Sequence, residues 1–156
     1  MATARSVHPW TTQPLETLVS ETGARLALLM TPAGQVFAQY GFTRALDVMA
    51  AAALGAAIAS STGEIAKMAD EPQFATLSHQ GTEHGVFLAG FDSPTGRLLV
   101  LVIYGPESSL GLVQLFFEDF VRDIEATCPK PETTGPVLPE DFERDLNASL
   151  ASLFGG

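Results

Sequence analysis

The feature that most restricts the fold of this chain is a long, proline-free segment from Ala45 to Met68. Its alanine and leucine content favours helix, although Gly55 and Gly63 each weaken such a helix by about 1 kcal/mol. The side chains are small on nearly every side, so another backbone can approach closely, and a helix that is apolar all round must be covered on more than one face. We therefore expect one long helix with one face on a sheet.

The opposite face of this helix is the first candidate for a binding surface. A partner protein, a loop or the tail of the chain can each cover it, and the residues leave these alternatives open. The face consists of Asp47, Ala51, Leu54, Ile58, Ser61, Thr62 and Ile65.

Short apolar or alternating segments on both sides of the long helix indicate strands. Before the helix, Arg25 to Met30 and Gln35 to Tyr40 are separated by Thr31-Pro32-Ala33-Gly34, which is typical of a β-hairpin. The last strand is apolar throughout from Leu98 to Ile103, as expected of a strand inside the sheet. The three strands after the helix are Phe74 to His79, Val86 to Phe91 and Arg97 to Tyr104.

Amphipathic helices are predicted before the first strand and after the last one. Thr11 or Thr12 caps the first helix, and Gly23 ends it. The apolar residues of the final helix recur at helical spacing: Leu110, Val113, Phe117, Phe120, Val121 and Ile124. The order helix, two strands, long helix, three strands, helix predicts an α+β fold with one antiparallel five-stranded sheet between helices.

The end of the chain is expected to be separate from the domain of residues 1–127. Residues 128–138 form a proline-rich linker, and residues 139–156 form a tail with the pattern of an amphipathic helix. The tail either docks on its own domain or inserts into a groove on another protein. Its apolar face consists of Phe142, Leu146, Leu150 and Leu153.

Charge narrows the classes of partner. Eighteen acidic residues against eight basic ones give a net charge of -10, which repels phosphate backbones and anionic lipids. We therefore expect neither nucleic acid nor a membrane as partner, and no segment is both uncharged and long enough to span a bilayer. The first ten residues do not resemble a signal peptide, so a cytoplasmic location is expected.

Motifs for catalysis, cofactors and metals are absent from the sequence. There is no P-loop and no Gly-Lys pair, so the chain does not look like a GTPase itself. A lone cysteine, Cys128, forms neither an intrachain disulfide nor a cysteine metal site. His79 and His84 flank a predicted hairpin loop, but no carboxylates accompany them at ligand spacing. We expect no catalytic site, no metal and no cofactor.

Several local matches, taken together with the order of the elements, point to a family. They are Glu21-Thr22-Gly23-Ala24-Arg25 before Leu26-Ala27-Leu28-Leu29, Leu46-Asp47 opening a helix with Gly55, Ser78-His79-Gln80-Gly81, and Leu98 to Val102 followed by Ser109-Leu110-Gly111-Leu112-Val113. Over Trp10 to Ala126 the chain thus resembles the MglB branch of the roadblock/dynein light-chain family, with a looser match in the tail.

The resemblance implies a homodimer that serves as a platform for one Ras-like small GTPase of the MglA type. Two copies would join their sheets edge to edge and pair their long helices, which also covers an open sheet edge. The implied dimer strand is Phe74, Ala75, Thr76, Leu77, Ser78 and His79. The implied GTPase surface is Asp47, Ala51, Leu54, Gly55, Ile58, Ser61, Thr62 and Ile65.

The resemblance also implies a mode of action. Such proteins accelerate GTP hydrolysis by reshaping the switch loops of the GTPase, whose own arginine and glutamine then reach the γ-phosphate. Arg44 and Lys67 would be docking charges, and the tail residues Phe142, Leu146, Leu150 and Leu153 would contact the GTPase and promote nucleotide exchange. A role in cell polarity and motility, with concentration at a cell pole, is implied as well. The alternatives are a scaffold without effect on hydrolysis and an enzyme with an unrecognised site.

Overall fold

The computed structural model describes residues 3–6, 8–41, 47–72, 76–130 and 147–153. Residues 147–153 are helical, and the other elements follow one another along the domain. In chain order they are β1 (Thr3–Ser6), a 3-10 helix (Pro9–Thr11), α1 (Thr12–Thr22), β2 (Leu26–Met30), β3 (Val36–Gly41), α2 (Val48–Met68), β4 (Thr76–Gln80), β5 (Gly85–Ser93), β6 (Gly96–Tyr104) and α3 (Leu110–Thr127).

The strands form one antiparallel sheet in the order β1-β3-β2-β6-β5-β4. The predicted α+β order is confirmed, and the five predicted strands are all present. A sixth strand, β1, extends the sheet at one edge by pairing with β3, where Thr3 lies opposite Gly41. The sequence of β1 is short and lacks an alternating apolar pattern, so its pairing depends on the edge that β3 offers.

The sheet lies between two helical layers, and alternate residues of its central strands supply two cores. In β2, Ala27 and Leu29 pack towards α1 and α3, whereas Leu26, Leu28 and Met30 pack towards α2. Strand β6 is buried on both faces from Leu98 to Val102, as its apolar run predicted. The α1–α3 layer includes Leu15, Leu18, Val19, Val113, Phe120 and Ile124.

Contrary to the expectation from charge, helix α2 is long and apolar enough to cross a membrane by length and composition alone, since Glu64 and Lys67 are its only charged residues. It covers the other face of the sheet through its smallest residues, and most of its surface remains exposed. The sequence predicted a start at Ala45, but residues 42–46, Arg44 among them, lie outside the described residues. Three other predictions fall partly on residues outside the described part. They are the linker of residues 128–138, the tail of residues 139–156, and the implied dimer strand, which begins at Phe74 and Ala75.

Candidate partner-binding surface

Helix α2 begins at a side-chain cap. The carboxylate oxygen Oδ1 of Asp47 accepts hydrogen bonds from the backbone N–H groups of Met49 and Ala50, both at 3.1 Å. The first N–H groups of a helix have no partner within it, so this cap fixes where α2 starts. Asp47 is exposed, and its charge therefore stands at the edge of the candidate surface.

The inner face of α2 consists of small residues that approach the sheet closely. Ala52 and Ala56 belong to the core that β2 and β6 share on this side. Gly55 also lies here, because a Cβ on it would come within 3.5 Å of the Met30 thioether. The structure therefore places Gly55 on the inner face of α2, buried against the sheet and apart from the exposed residues of the implied GTPase surface.

The outer face of α2 carries a stripe of large apolar side chains in solvent. Their exposed fractions are 65% for Leu54, 43% for Ile58 and 56% for Ile65. Met68 continues the stripe at helical spacing and is 86% exposed; it was missing from the predicted face although the spacing was visible in the sequence. Contiguous exposed apolar area of this kind marks interaction surfaces in soluble proteins.

The polar members of the outer face are engaged within the helix. The Ser61 hydroxyl donates to the Ala57 carbonyl and the Thr62 hydroxyl to the Ile58 carbonyl, each at 2.8 Å. Ala51 and Thr62 are half-buried, while Ser61 is exposed. The face therefore offers shape and apolar area to a partner more than hydrogen-bonding groups.

A groove of about 260 Å³ runs between α2 and the outer strands of the sheet. Its floor is apolar and is formed by Ala56, Ala59, Leu88 and Leu99. Thr62 and Thr76 contribute to its polar rim, together with Arg97, whose guanidinium lies over Gly90 and pairs with Asp92 at 3.2 Å.

Strand β4 forms one edge of the sheet beside this groove. All five of its residues are exposed, and in the described part of the chain its only strand partner is β5. Leu77 lies opposite Leu88, which packs on the α2 side, so Leu77 extends the apolar surface of α2 onto the sheet edge. Of the predicted dimer strand, Thr76, Leu77, Ser78 and His79 lie in β4, whereas Phe74 and Ala75 lie outside the described residues.

Polar side chains gather where β5 begins and β6 ends. His84 contacts Arg25, with 2.6 Å between Nη1 of Arg25 and Nε2 of His84. Arg25 also pairs with Glu107 at 3.3 Å. The hydrogen bond from its own backbone N–H and that from Arg25 lower the pKa of Glu107 below its ordinary value. Among the described residues, no three His, Cys, Asp or Glu side chains are grouped so that they could hold a metal ion.

The described part of the tail is helical and exposed throughout. Leu150 is 43% and Leu153 is 76% exposed, so this segment does not bury its apolar stripe in the domain. Phe142 and Leu146, the other two predicted members of the stripe, lie outside the described residues.

Comparison with known proteins supports the assignment of the fold. No protein-family model matches the chain, and no curated protein does. MglB from Myxococcus xanthus superposes with a TM-score of 0.70 at 22% identity, over 78% of this chain and 96% of that one. The gliding protein MglB from Thermus thermophilus superposes at 0.67 with 26% identity, over 76% of this chain and 87% of that one. A roadblock/LC7 domain from Streptomyces avermitilis superposes at 0.63 with 15% identity, over 73% and 93%. The chain therefore has a roadblock-type fold of the MglB kind.

Proposed function

We propose that this chain is a homodimeric regulator of a Ras-like small GTPase of the MglA type. The observation that carries the proposal is the outer stripe of α2, which stays in solvent although it is apolar and which continues onto the open edge of β4 through Leu77. The likeness in fold to two MglB structures supports the same class of function. We also propose that the protein works in the cytoplasm, concentrated at a cell pole, which a fluorescent fusion can test.

The dimer is proposed to form at the edge of β4. Two copies of an antiparallel edge strand can pair with each other about a two-fold axis, which satisfies the outward N–H and C=O groups of both. Such pairing brings the two α2 helices side by side on one face of the joined sheet, where the α2–β4 groove lies at the seam.

The GTPase is proposed to dock on the paired α2 helices. Leu54, Ile58 and Ile65 supply the apolar centre, and Asp47 and Lys67 supply charges at the two ends of the helix. The dimer contributes no catalytic group. It reshapes the switch loops so that the arginine and glutamine of the GTPase reach the γ-phosphate, where positioned charge lowers the barrier to hydrolysis. The tail, through its apolar stripe, is proposed to contact the GTPase and promote nucleotide exchange.

Phosphate release from the MglA-like GTPase of the same organism tests the proposal. The GTPase is loaded with GTP and measured in single turnover, alone and with this protein. Acceleration supports an activator. Binding without acceleration indicates a scaffold instead, and absence of binding contradicts both.

The dimer requires a separate measurement. Light scattering over a range of protein concentrations should give twice the monomer mass, and Leu77→Glu should shift the equilibrium towards monomer. Thr95→Glu, which places the same charge in the β5–β6 turn, is the matched control. A monomer at every concentration contradicts dimer formation.

A further inference from the structure

A second groove lies on the opposite face of the sheet from α2, between α1 and α3. The two helices run antiparallel, since the Thr127 hydroxyl at the end of α3 donates to the Trp10 carbonyl just before α1, at 3.2 Å. The groove has a volume of about 570 Å³. Its apolar lining comes from Pro14, Leu18, Phe116, Phe120 and Ala126.

The apolar floor continues into solvent at Leu115. This side chain is 59% exposed. It lies on the same stripe of α3 as the lining residues Asp119, Arg122 and Ala126, which follow it at helical spacing. Phe116 beside it is only half-buried. The groove therefore offers an aromatic and an aliphatic contact that the domain does not itself cover.

The rim of the groove is acidic. Together α1 and α3 carry six carboxylates and one arginine. That arginine, Arg122, pairs with Asp119 on its own helix. Within the described ranges, no basic side chain forms an ion pair with Glu21 or Asp123, which line the groove with Asp119.

The helix dipoles do not account for the positions of these carboxylates. Neither helix has an acidic residue in its first turn, where the helix dipole would favour one. Glu21 instead lies in the last turn of α1 and Glu125 in the last turn of α3, where the dipole disfavours a negative charge. These two carboxylates therefore stand where the helix dipoles oppose them.

We propose that the α1–α3 groove binds a basic amphipathic segment of another protein. Its apolar side chains contact Leu115 and Phe116, and its lysines or arginines pair with Glu21, Asp119 and Asp123. A second copy of this chain has no basic segment to offer, because its eight lysines and arginines are scattered along the sequence. The tail is repelled from the groove, because its residues 140–145 contain four carboxylates and one arginine. This site is independent of the proposed GTPase surface on α2.

The probe is a synthetic peptide of about 14 residues, which is long enough for roughly four helical turns. It carries leucines on one helical face and lysines on the others. Titration of the isotopically labelled full-length protein should shift the amide signals of α1 and α3 and leave those of α2 unchanged. Replacing the leucines of the peptide with serine should weaken binding, because the floor of the groove then has no apolar partner. Shifts confined to α2, or equal binding of the serine peptide, would overturn the proposal.

Charge-removing variants distinguish binding in the groove from non-specific electrostatic attraction of the peptide to the protein. Glu21→Gln, Asp119→Asn and Asp123→Asn together should raise the Kd for the leucine peptide about tenfold at roughly 0.15 M salt, as expected for the loss of three exposed ion pairs. Glu64→Gln, Glu71→Gln and Glu83→Gln together remove the same charge outside the groove and should change the Kd by about twofold or less. An equal effect of the two sets overturns the assignment to this groove.

Discussion

The ring of Tyr104 lies directly over Gly85, its partner across the ladder of β5 and β6. Tyr104 is buried, and its hydroxyl donates to Oε1 of Gln80 at 3.1 Å, so the ring joins the start of β5 to the end of β4. A Cβ at Gly85 would overlap the ring atoms. The glycine therefore leaves the space in which a buried tyrosine packs.

Gly85→Ala should lower the free energy of unfolding by about 1–3 kcal/mol, because the ring must move out of a packed position. Urea denaturation at one fixed protein concentration measures this. Gly111→Ala is the control, since a Cβ there meets nothing within 4 Å. It should leave stability unchanged or raise it by up to about 1 kcal/mol. Equal losses in both variants would contradict the overlap.

Asp47→Ala should cost about 1 kcal/mol of stability, because the first N–H groups of α2 lose their acceptor. Asp47→Asn should cost much less, since asparagine also caps helices. Comparison of the two variants separates the effect of losing the helix cap from the effect of losing the negative charge. If Asp47 also contacts a GTPase through its charge, Asp47→Asn weakens binding in a titration while the melting temperature stays near that of the wild type.

Leu54→Arg should abolish binding of the GTP-loaded GTPase and leave the domain folded, because a charged side chain replaces an exposed apolar one at the centre of the α2 stripe. Ile58→Arg should do the same. Leu115→Arg is the matched control: Leu115 is 59% and Leu54 is 65% exposed, but they lie on opposite faces of the sheet. Retained binding by Leu54→Arg would move the GTPase surface elsewhere.

Glu107→Gln should make stability less sensitive to acid. The pKa of Glu107 is lowered in the folded protein by the bond from its own backbone N–H and by Arg25. A depressed pKa contributes stability that is present above the ordinary glutamate pKa of about 4.3 and is lost as the pH falls through the lower, folded-state value. Stability measured from neutral to acidic pH should therefore decline more steeply for the wild type in the acidic part of the range. Parallel curves would contradict this contribution.

Deleting residues from Pro139 onward should leave the domain folded, because Leu150 and Leu153 do not bury their side chains against it. The melting temperature should change by no more than a few degrees. A large fall would show that the tail is part of the core.

The central strands and the amphipathic helices could be predicted because their patterns have one physical explanation. The uncharged run at the end of β6 fits only a strand covered on both faces, and the spacing of Val113, Phe120 and Ile124 fits only a helix with one buried side. Burial of large apolar side chains determines both, and the sequence shows those side chains directly.

The faces of α2 were harder to assign because small residues surround the whole helix. Gly55 has no side chain, so nothing in the sequence indicates whether it faces the sheet or solvent, and only the position of Met30 decides it. Strand β1 could not be predicted for a related reason: Thr3 and its neighbours pair through backbone groups, which every residue has. Both features depend on contacts between segments distant in sequence.

The distribution of charge between the two helical layers affects how the protein meets its partners. The α1–α3 layer carries six carboxylates against one arginine, while α2 has a single glutamate and a single lysine, which pair with each other at 2.9 Å. The α1–α3 layer therefore repels a negatively charged partner, whereas helix α2 itself adds no net charge. Such a partner is turned away from the α1–α3 layer before contact, so fewer of its encounters begin on that face. Salt weakens this steering, because the field decays over about 8 Å at physiological ionic strength.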